Sequence, residues 1–166
     1  RSKCQYIIFS ARGKLVEYDF KLQLFGTRIP YEANPVSLGI TFDSRLNFES
    51  HIKKMKDKCN KRLNVLKIIS HKSWGLTRTT LVAIYRALIG SVIDYTAFMS
   101  SILSKKLMKT VQATQNSAVR VIYKKPFDSH TVELCLISGL PLVSERMKWL
   151  NEKFIRSARF SSNELI

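Results

Sequence analysis

The sequence has few cysteines, few acidic residues and no long apolar segment, and each shortage excludes a class of protein. Its 166 residues include three cysteines, Cys4, Cys59 and Cys135. Three scattered cysteines do not make a disulfide framework and favour a reducing compartment. The most apolar stretch, 81–103, is interrupted by Arg86 and Asp94, so it falls short of the roughly 18 uncharged residues of a membrane span. We therefore expect an intracellular protein of the nucleus or cytoplasm that spans no membrane.

Residues that carry catalytic chemistry are also scarce. The chain contains no Asp-Asp, Asp-x-Asp, G-x-x-x-x-G-K or G-x-S-x-G sequence, so clustered metal-binding carboxylates, a phosphate loop and a nucleophile elbow are not expected. The cysteine and histidine spacings do not fit a zinc finger. We predict no catalytic residue and no metal ligand, and we expect His51, His71 and His130 to be surface or capping residues. These observations favour a binding module over an enzyme.

Positive charge is what the sequence has in excess. It holds 28 Lys and Arg against 12 Asp and Glu, a net charge of +16. Residues 47–73 contain eight basic and two acidic residues, and residues 104–125 contain six basic and none acidic. Because solvated helices usually mix both signs, segments of one sign favour a polyanionic partner. A basic surface that serves only solubility is the alternative.

The apolar periodicity changes near residue 43. Before it, 5–9, 21–25 and 36–42 have the composition and alternation of strands, with turn residues between them. After it, a helical stripe of period about 3.6 begins, formed by Phe48, Ile52, Met55, Cys59, Leu63, Leu66 and Ile69. Further helices are predicted over 77–99, 104–125 and 131–138, and from Pro141 onwards, with Thr77 and Ser104 as N-caps.

The predicted fold is α+β and mostly α. A small N-terminal antiparallel strand lobe over 1–46 precedes a bundle of four or five helices over 47–166. The basic residues that we expect to face nucleic acid lie on or beside the first and third helices. They are Lys53, Lys54, Lys61, Arg62, Lys105, Lys106, Lys109, Arg120, Lys124 and Lys125.

Five segments, taken in order, resemble a known family. They are SKCQYIIFS at 2–10, LGITFD at 38–43 with Leu46, Phe48 and His51-Ile52 after it, YRALI and IDY at 85–95, QNSAVRVI at 115–122, and GLPL at 139–142. In this order they are similar to the C-terminal part of reverse transcriptases from jockey-type non-LTR retrotransposons (LINEs). Thr96 stands where that family typically has glycine.

The resemblance implies a role for each part of the chain. Residues 1–46 would be the palm edge with the primer grip, in which Leu38, Gly39, Ile40 and Asp43 help to seat the primer end. Residues 47–166 would be a thumb-like bundle that clamps template–primer duplex. The catalytic aspartates, and the Mg²⁺ that they bind, would belong to parent sequence upstream of Arg1.

The resemblance and the charge together predict the function. We expect a fragment of an RNA-directed DNA polymerase that holds RNA–DNA or DNA duplex largely without sequence preference. Its partners would be nucleic acid and the remainder of the polymerase chain, with no cofactor and no small-molecule substrate in this fragment. The alternative is a stand-alone basic helical protein that binds nucleic acid or an acidic protein.

Overall fold

The computed structural model describes residues 4–10 and 20–160. The chain divides into two compact units, residues 1–54 and 55–166. Its described architecture is α+β and mostly α, with small antiparallel sheets near the N-terminus followed by helices, as predicted.

The first unit contains two short β-hairpins between residues 23 and 41. Strand β1 (Gln23–Leu24) pairs antiparallel with β2 (Thr27–Arg28), and β3 (Val36–Ser37) pairs antiparallel with β4 (Ile40–Thr41). Each connection has two residues, and both residues have positive φ. This is the backbone pattern of the type I′ turns that suit two-residue hairpins.

The predicted strand over 5–9 is wrong. Tyr6 makes a single parallel bridge with Tyr31, in which the Tyr6 N–H donates to the Pro30 carbonyl and the Glu32 N–H donates to the Tyr6 carbonyl. Pro30 has no N–H to continue the ladder in one direction. In the other direction, the Asn34 N–H donates to Glu32 Oε1 at 3.2 Å instead. Ser2 and Lys3, the first residues of the family-like segment, lie outside the described residues.

The helices follow in one series. They are α1 (Glu49–Ile69), α2 (Arg78–Tyr85), α3 (Ser91–Asp94), α4 (Lys105–Tyr123), α5 (Thr131–Ser138) and α6 (Val143–Arg159), with short 3₁₀ turns over Lys72–Trp74 and Ala97–Met99. A π-helical turn, Arg86–Gly90, joins α2 to α3. Helical structure therefore continues from Arg78 to Asp94, and the second predicted helix ends there, short of residue 99.

Local capping interactions set several helix ends where the sequence places them. Thr77 Oγ1 accepts the Thr80 N–H at 3.2 Å, and Ser104 Oγ accepts the Leu107 N–H at 3.3 Å. These bonds satisfy N–H groups that have no partner within the helix. Gly139 follows the C-terminal end of α5 and adopts the left-handed conformation that commonly ends helices.

Most of the predicted apolar stripe of α1 is buried, although Leu63 and Ile69 are only half-buried. Phe48, Ile52, Met55, Cys59 and Leu66 are each at most 4% exposed. In the second unit, the buried apolar side chains include Leu81, Tyr85, Ile89, Val111, Ala118, Val119, Ile122, Leu134 and Met147. Removal of this apolar surface from water is the main favourable contribution to folding.

Candidate nucleic-acid interface

A groove lies between α1 and α4 in the second unit. Its first part is a cavity of about 520 Å³ lined by Lys56 on α1 and by the first half of α4, whose contribution is Lys105, Lys106, Lys109, Thr110 and Ala113. Lys105, Lys106 and Lys109 are exposed, and none makes an ion pair with a described residue. These three lysines are therefore open to an anionic ligand.

The second part of the groove is a cavity of about 310 Å³. Leu63 and Lys67 line it from α1, and the second half of α4 with the following loop provides Ser117, Arg120, Val121, Lys125 and Phe127. Residue numbers rise on both helices from the first cavity to the second. The two helices therefore run in the same direction past both cavities, and the two cavities together are called the groove below.

The groove is strongly basic. Seven of the described residues that line its two parts are Lys or Arg, and none of those described is Asp or Glu. Two cations near its second end also make structural contacts. Lys125 pairs with Glu133 at 2.7 Å, and Arg120 Nη2 donates to the Ser129 carbonyl at 3.1 Å. An open surface of one charge, with its cations spaced along two helices, is complementary to a chain of phosphates.

Other predicted basic residues of the second unit do not line this groove. Lys61 lies five residues after Lys56, so it projects about 140° away around the helix. Arg62 Nη1 donates to the Leu88 carbonyl, and Lys124 Nζ donates to Ser70 Oγ at 3.1 Å. Arg62 and Lys124 thus connect helical segments of the second unit.

Two further predicted cations belong to the first unit. Lys53 is exposed, and Lys54 Nζ donates to Thr41 Oγ1 at 3.2 Å. Contact of Lys53 and Lys54 with nucleic acid stays a prediction.

Lys56 and Lys67 are groove residues that the predicted set omits. Both lie at the edge of the apolar stripe of α1 rather than opposite it. Their signal in the sequence is spacing, because positions 56, 63 and 67 are seven and eleven residues apart and fall on one side of a helix. The prediction favoured lysines on the side of α1 opposite the apolar stripe, and it therefore missed these two residues at the edge of the stripe.

Three of the four predicted primer-grip residues lie in the β3–β4 hairpin, and the fourth, Asp43, follows it. Leu38 and Gly39 form its turn with φ of 48° and 79°, and the Leu38 side chain is 86% exposed. Ile40 begins β4 and is half-buried. Asp43 accepts the N–H groups of Arg45, Asn47 and Phe48, so its carboxylate organises the turn that leads into α1.

His51 is not a surface residue, which corrects one prediction. Its side chain is 7% exposed, and its Nδ1 accepts the Thr41 N–H at 3.2 Å. An acceptor at Nδ1 requires the neutral ring. Burial, with the charge of Lys54 as a second cause, lowers the pKa of His51 below 6.5. His71, in contrast, caps the 3₁₀ turn by accepting the Ser73 N–H, as predicted.

The family-like segment at 115–122 has a structural role. Gln115 Oε1 accepts the Tyr85 hydroxyl at 3.0 Å, and Gln115 Nε2 donates to the Pro141 carbonyl at 2.8 Å. Asn116 Nδ2 donates to Thr131 Oγ1 at 2.8 Å. These side chains tie α4 to α2, to the start of α5 and to the turn before α6.

Two titratable side chains of the second unit outside the groove, Asp94 and Cys59, are held by a partner or buried. Asp94 accepts two hydrogen bonds from Arg146, at 2.8 and 3.2 Å, and this bonding raises the pKa of Arg146. Burial raises the pKa of the Cys59 thiol to about 11, which makes it a poor nucleophile.

Within residues 4–10 and 20–160, no three His, Cys, Asp or Glu side chains group as metal ligands. In the same residues, no helix is long and apolar enough to cross a membrane.

Comparisons with known proteins find retrotransposon polymerases. The chain is 26% identical over 138 residues to a probable RNA-directed DNA polymerase from transposon BS of Drosophila melanogaster, with 76% of this chain and 15% of the relative covered. It is 32% identical over 76 residues to a retrovirus-related Pol polyprotein from the type-1 retrotransposable element R1 of Bradysia coprophila, with 46% of this chain and 8% of the relative covered. No family model and no solved structure matches.

These similarities support the predicted resemblance to retrotransposon polymerases. The chain is similar to a part of these two retrotransposon proteins, and it spans less than a sixth of the length of either.

Proposed function

We propose that this chain is the primer-grip and thumb region of a non-LTR retroelement reverse transcriptase of the jockey type, and that it holds template–primer nucleic acid in the groove between α1 and α4. The observation that carries the proposal is the run of lysines along that groove, with Lys56, Lys105, Lys106 and Lys109 around one cavity. The similarity to retrotransposon polymerases indicates that the anionic ligand of this groove would be a nucleic acid.

The groove suits a clamp that is independent of sequence. Lys and Arg that contact phosphates displace condensed counterions, so binding is strong at low salt and falls as salt rises. Phosphate contacts position a duplex without reading its bases. A thumb that lets template–primer advance by one nucleotide at a time needs this kind of contact.

The chemical steps of polymerisation belong to other parts of the parent protein. The described residues contain no group of three metal-ligating side chains. The resemblance assigns Mg²⁺ to the aspartates of the parent polymerase. In this proposal Leu38, Gly39, Ile40 and Asp43 help to seat the primer end, and the groove residues hold the duplex behind it.

The test is duplex binding by the 166-residue chain at several salt concentrations, followed by fluorescence anisotropy. Replacing Lys105, Lys106 and Lys109 together with Gln should weaken binding of RNA–DNA and DNA duplexes alike. It should also flatten the slope of log K against log salt by about 2.7, or 0.9 for each lost phosphate contact. The matched control replaces Lys58, Lys72 and Lys148 with Gln, since these exposed lysines give the same change in charge outside the groove.

Each outcome decides between the proposed functions. An equal loss of affinity in both triple variants would show that only net charge matters, and the groove would lose its role. A wild-type chain that binds polyglutamate but not duplex would favour the acidic-partner alternative. An unchanged slope in the Lys105, Lys106 and Lys109 variant would contradict the proposed interface.

A further inference from the structure

The second end of the groove carries an exposed aromatic ring. Phe127 lies in the loop between α4 and α5 and lines the cavity that Lys67, Arg120 and Lys125 make basic. Its side chain is 89% exposed, and the guanidinium carbon of Arg120 lies over the ring at 5.2 Å from its centre. Phe127 is therefore not a core residue, and most of its ring is open to solvent.

The loop that carries Phe127 is held in place by several contacts. Arg120 Nη2 donates to the Ser129 carbonyl at 3.1 Å, and the Lys125 N–H donates to the Arg120 carbonyl at 3.0 Å. Ser129 Oγ donates to the Pro126 carbonyl at 2.9 Å. Pro126 also restricts the backbone immediately before Phe127. These hydrogen bonds restrict the loop that carries the ring, which reduces the entropy lost when a ligand stacks on it.

The chemistry of this end differs from that of the other end. Around Lys105, Lys106 and Lys109 the lining offers charge without an aromatic ring, which is suited to phosphates alone. Around Phe127 it offers charge and an exposed π-face together. Aromatic side chains in basic grooves stack unpaired bases with little regard to sequence, and a neighbouring arginine adds to the interaction. Paired bases inside a duplex do not present their faces to such a ring.

We propose that Phe127, backed by Arg120, stacks an unpaired nucleobase at the end of the groove, so that the site takes polynucleotide with a single-stranded segment. This proposal rests on the proposed function, because the cations of the groove must hold the adjoining phosphates. It adds a base-stacking position to a surface that otherwise reads only the backbone. The shared chemistry is a single-stranded nucleobase, from either DNA or RNA.

The test compares oligonucleotides that differ only in their bases. Binding of an oligothymidylate of about 12 nucleotides, within the site size of single-strand binders, is measured beside an abasic oligomer with the same number of phosphates. Phe127→Ala should weaken oligothymidylate binding by about 5- to 150-fold, the range expected for loss of one stacked base. It should leave the abasic oligomer, a blunt duplex and the salt slope unchanged. Phe127→Trp should retain the affinity, and oligouridylate in place of oligothymidylate shows whether RNA is held as well.

A matched control separates stacking from general apolar contact. Phe154 on α6 is 70% exposed and does not line the groove, so Phe154→Ala should bind like the wild-type chain. Equal binding of oligothymidylate by Phe127→Ala and wild type would overturn the stacking proposal while leaving the groove intact. Equal losses for the abasic oligomer would also overturn it, because they would assign Phe127 a role in loop structure. Failure of the groove itself is recognised differently, since the lysine variants would then bind duplex as tightly as wild type.

Discussion

The hydroxyl of Tyr85 on α2 donates a hydrogen bond to Gln115 Oε1 on α4 at 3.0 Å, and both side chains are buried. Gln115 uses its other amide atom to hold the Pro141 carbonyl at 2.8 Å. One amide thus satisfies polar groups from two other segments of the second unit. Burial, with a contribution from Asp94, raises the pKa of Tyr85, so this hydroxyl stays protonated as a donor at neutral pH.

This relationship predicts a cost for removing a single oxygen atom. Tyr85→Phe leaves Gln115 Oε1 buried without its donor, so the free energy of unfolding should fall by about 1 to 3 kcal/mol. Urea denaturation followed by circular dichroism measures the change. Tyr123→Phe is the control, because the Tyr123 ring lies beside Arg78 and its hydroxyl bonds no described residue. Equal stability of Tyr85→Phe and wild type would show that the buried bond contributes nothing net.

Acid should destabilise the first unit through His51. The neutral ring accepts the Thr41 N–H, and the pKa of His51 in the folded chain is lowered below 6.5. The unfolded chain therefore binds a proton at higher pH than the folded chain does. The stabilising contribution is present above pH 6.5 and is lost as the pH falls through the lowered pKa.

The measurement for His51 is the free energy of unfolding from about pH 8 to about pH 5, across the ordinary range of histidine titration. The comparison variant is His51→Asn, whose side-chain oxygen can replace Nδ1 as an acceptor without titrating. The wild-type chain should lose more stability than the variant over this interval. Parallel curves would contradict the role of His51.

The hairpin turn at Leu38 should gain stability from a residue that tolerates its backbone. Leu38 has φ of 48°, and its side chain is 86% exposed, so it pays a conformational cost without burying its apolar surface. Asn before glycine is favoured in type I′ turns. Leu38→Asn should therefore raise the free energy of unfolding by about 1 kcal/mol, measured by chemical denaturation.

Phe25→Asn provides a comparison for the Leu38 variant. Phe25 also precedes a glycine in a two-residue turn, with φ of 49°, and is 97% exposed. Both substitutions should stabilise. If Leu38 seats a primer end, only the Leu38 variant should also weaken binding of template–primer to the chain. A destabilised Leu38→Asn chain would show that the leucine makes a favourable contact that outweighs its backbone cost.

The buried stripe of α1 should be intolerant of truncation. Leu66 is 1% exposed, and Leu66→Ala should lower the free energy of unfolding by about 2 to 5 kcal/mol, because it removes apolar contacts and leaves a cavity. Val65→Ala is the matched control, since the neighbouring Val65 is 48% exposed. Thermal unfolding compares the two variants. Similar melting temperatures would contradict the assignment of this stripe to the core.

Local signals in the sequence predicted the helical part of the fold well. Thr77, Ser104 and Gly139 act on backbone groups within a few residues, so the information for these helix ends is contained in short segments. Strands were harder: the predicted strand over 36–42 is the β3–β4 hairpin, because Leu38 and Gly39 turn the chain within it. The segment at 5–9 has strand composition, yet its ladder is limited by Pro30 and by the Glu32 side chain.

The candidate site could be predicted only in part for a similar reason. Charge counting found Lys105, Lys106, Lys109, Arg120 and Lys125, all of which line the groove. It also selected Arg62, which contacts the Leu88 carbonyl, and it omitted Lys56 and Lys67. The number of charges is a property of the sequence, whereas the direction of each side chain relative to a second helix is not.

The sequence by itself determined a basic, mostly helical chain with a buried stripe on α1, because composition, period and caps act through nearest neighbours along the chain. Only the tertiary structure decided which cations share a groove and that Phe127 lies exposed at its end. Those facts depend on the packing of α4 beside α1 and on the contacts that hold the loop after α4. Such packing joins residues about 50 positions apart, as in the bond from Lys124 Nζ to Ser70 Oγ, and no local pattern encodes it.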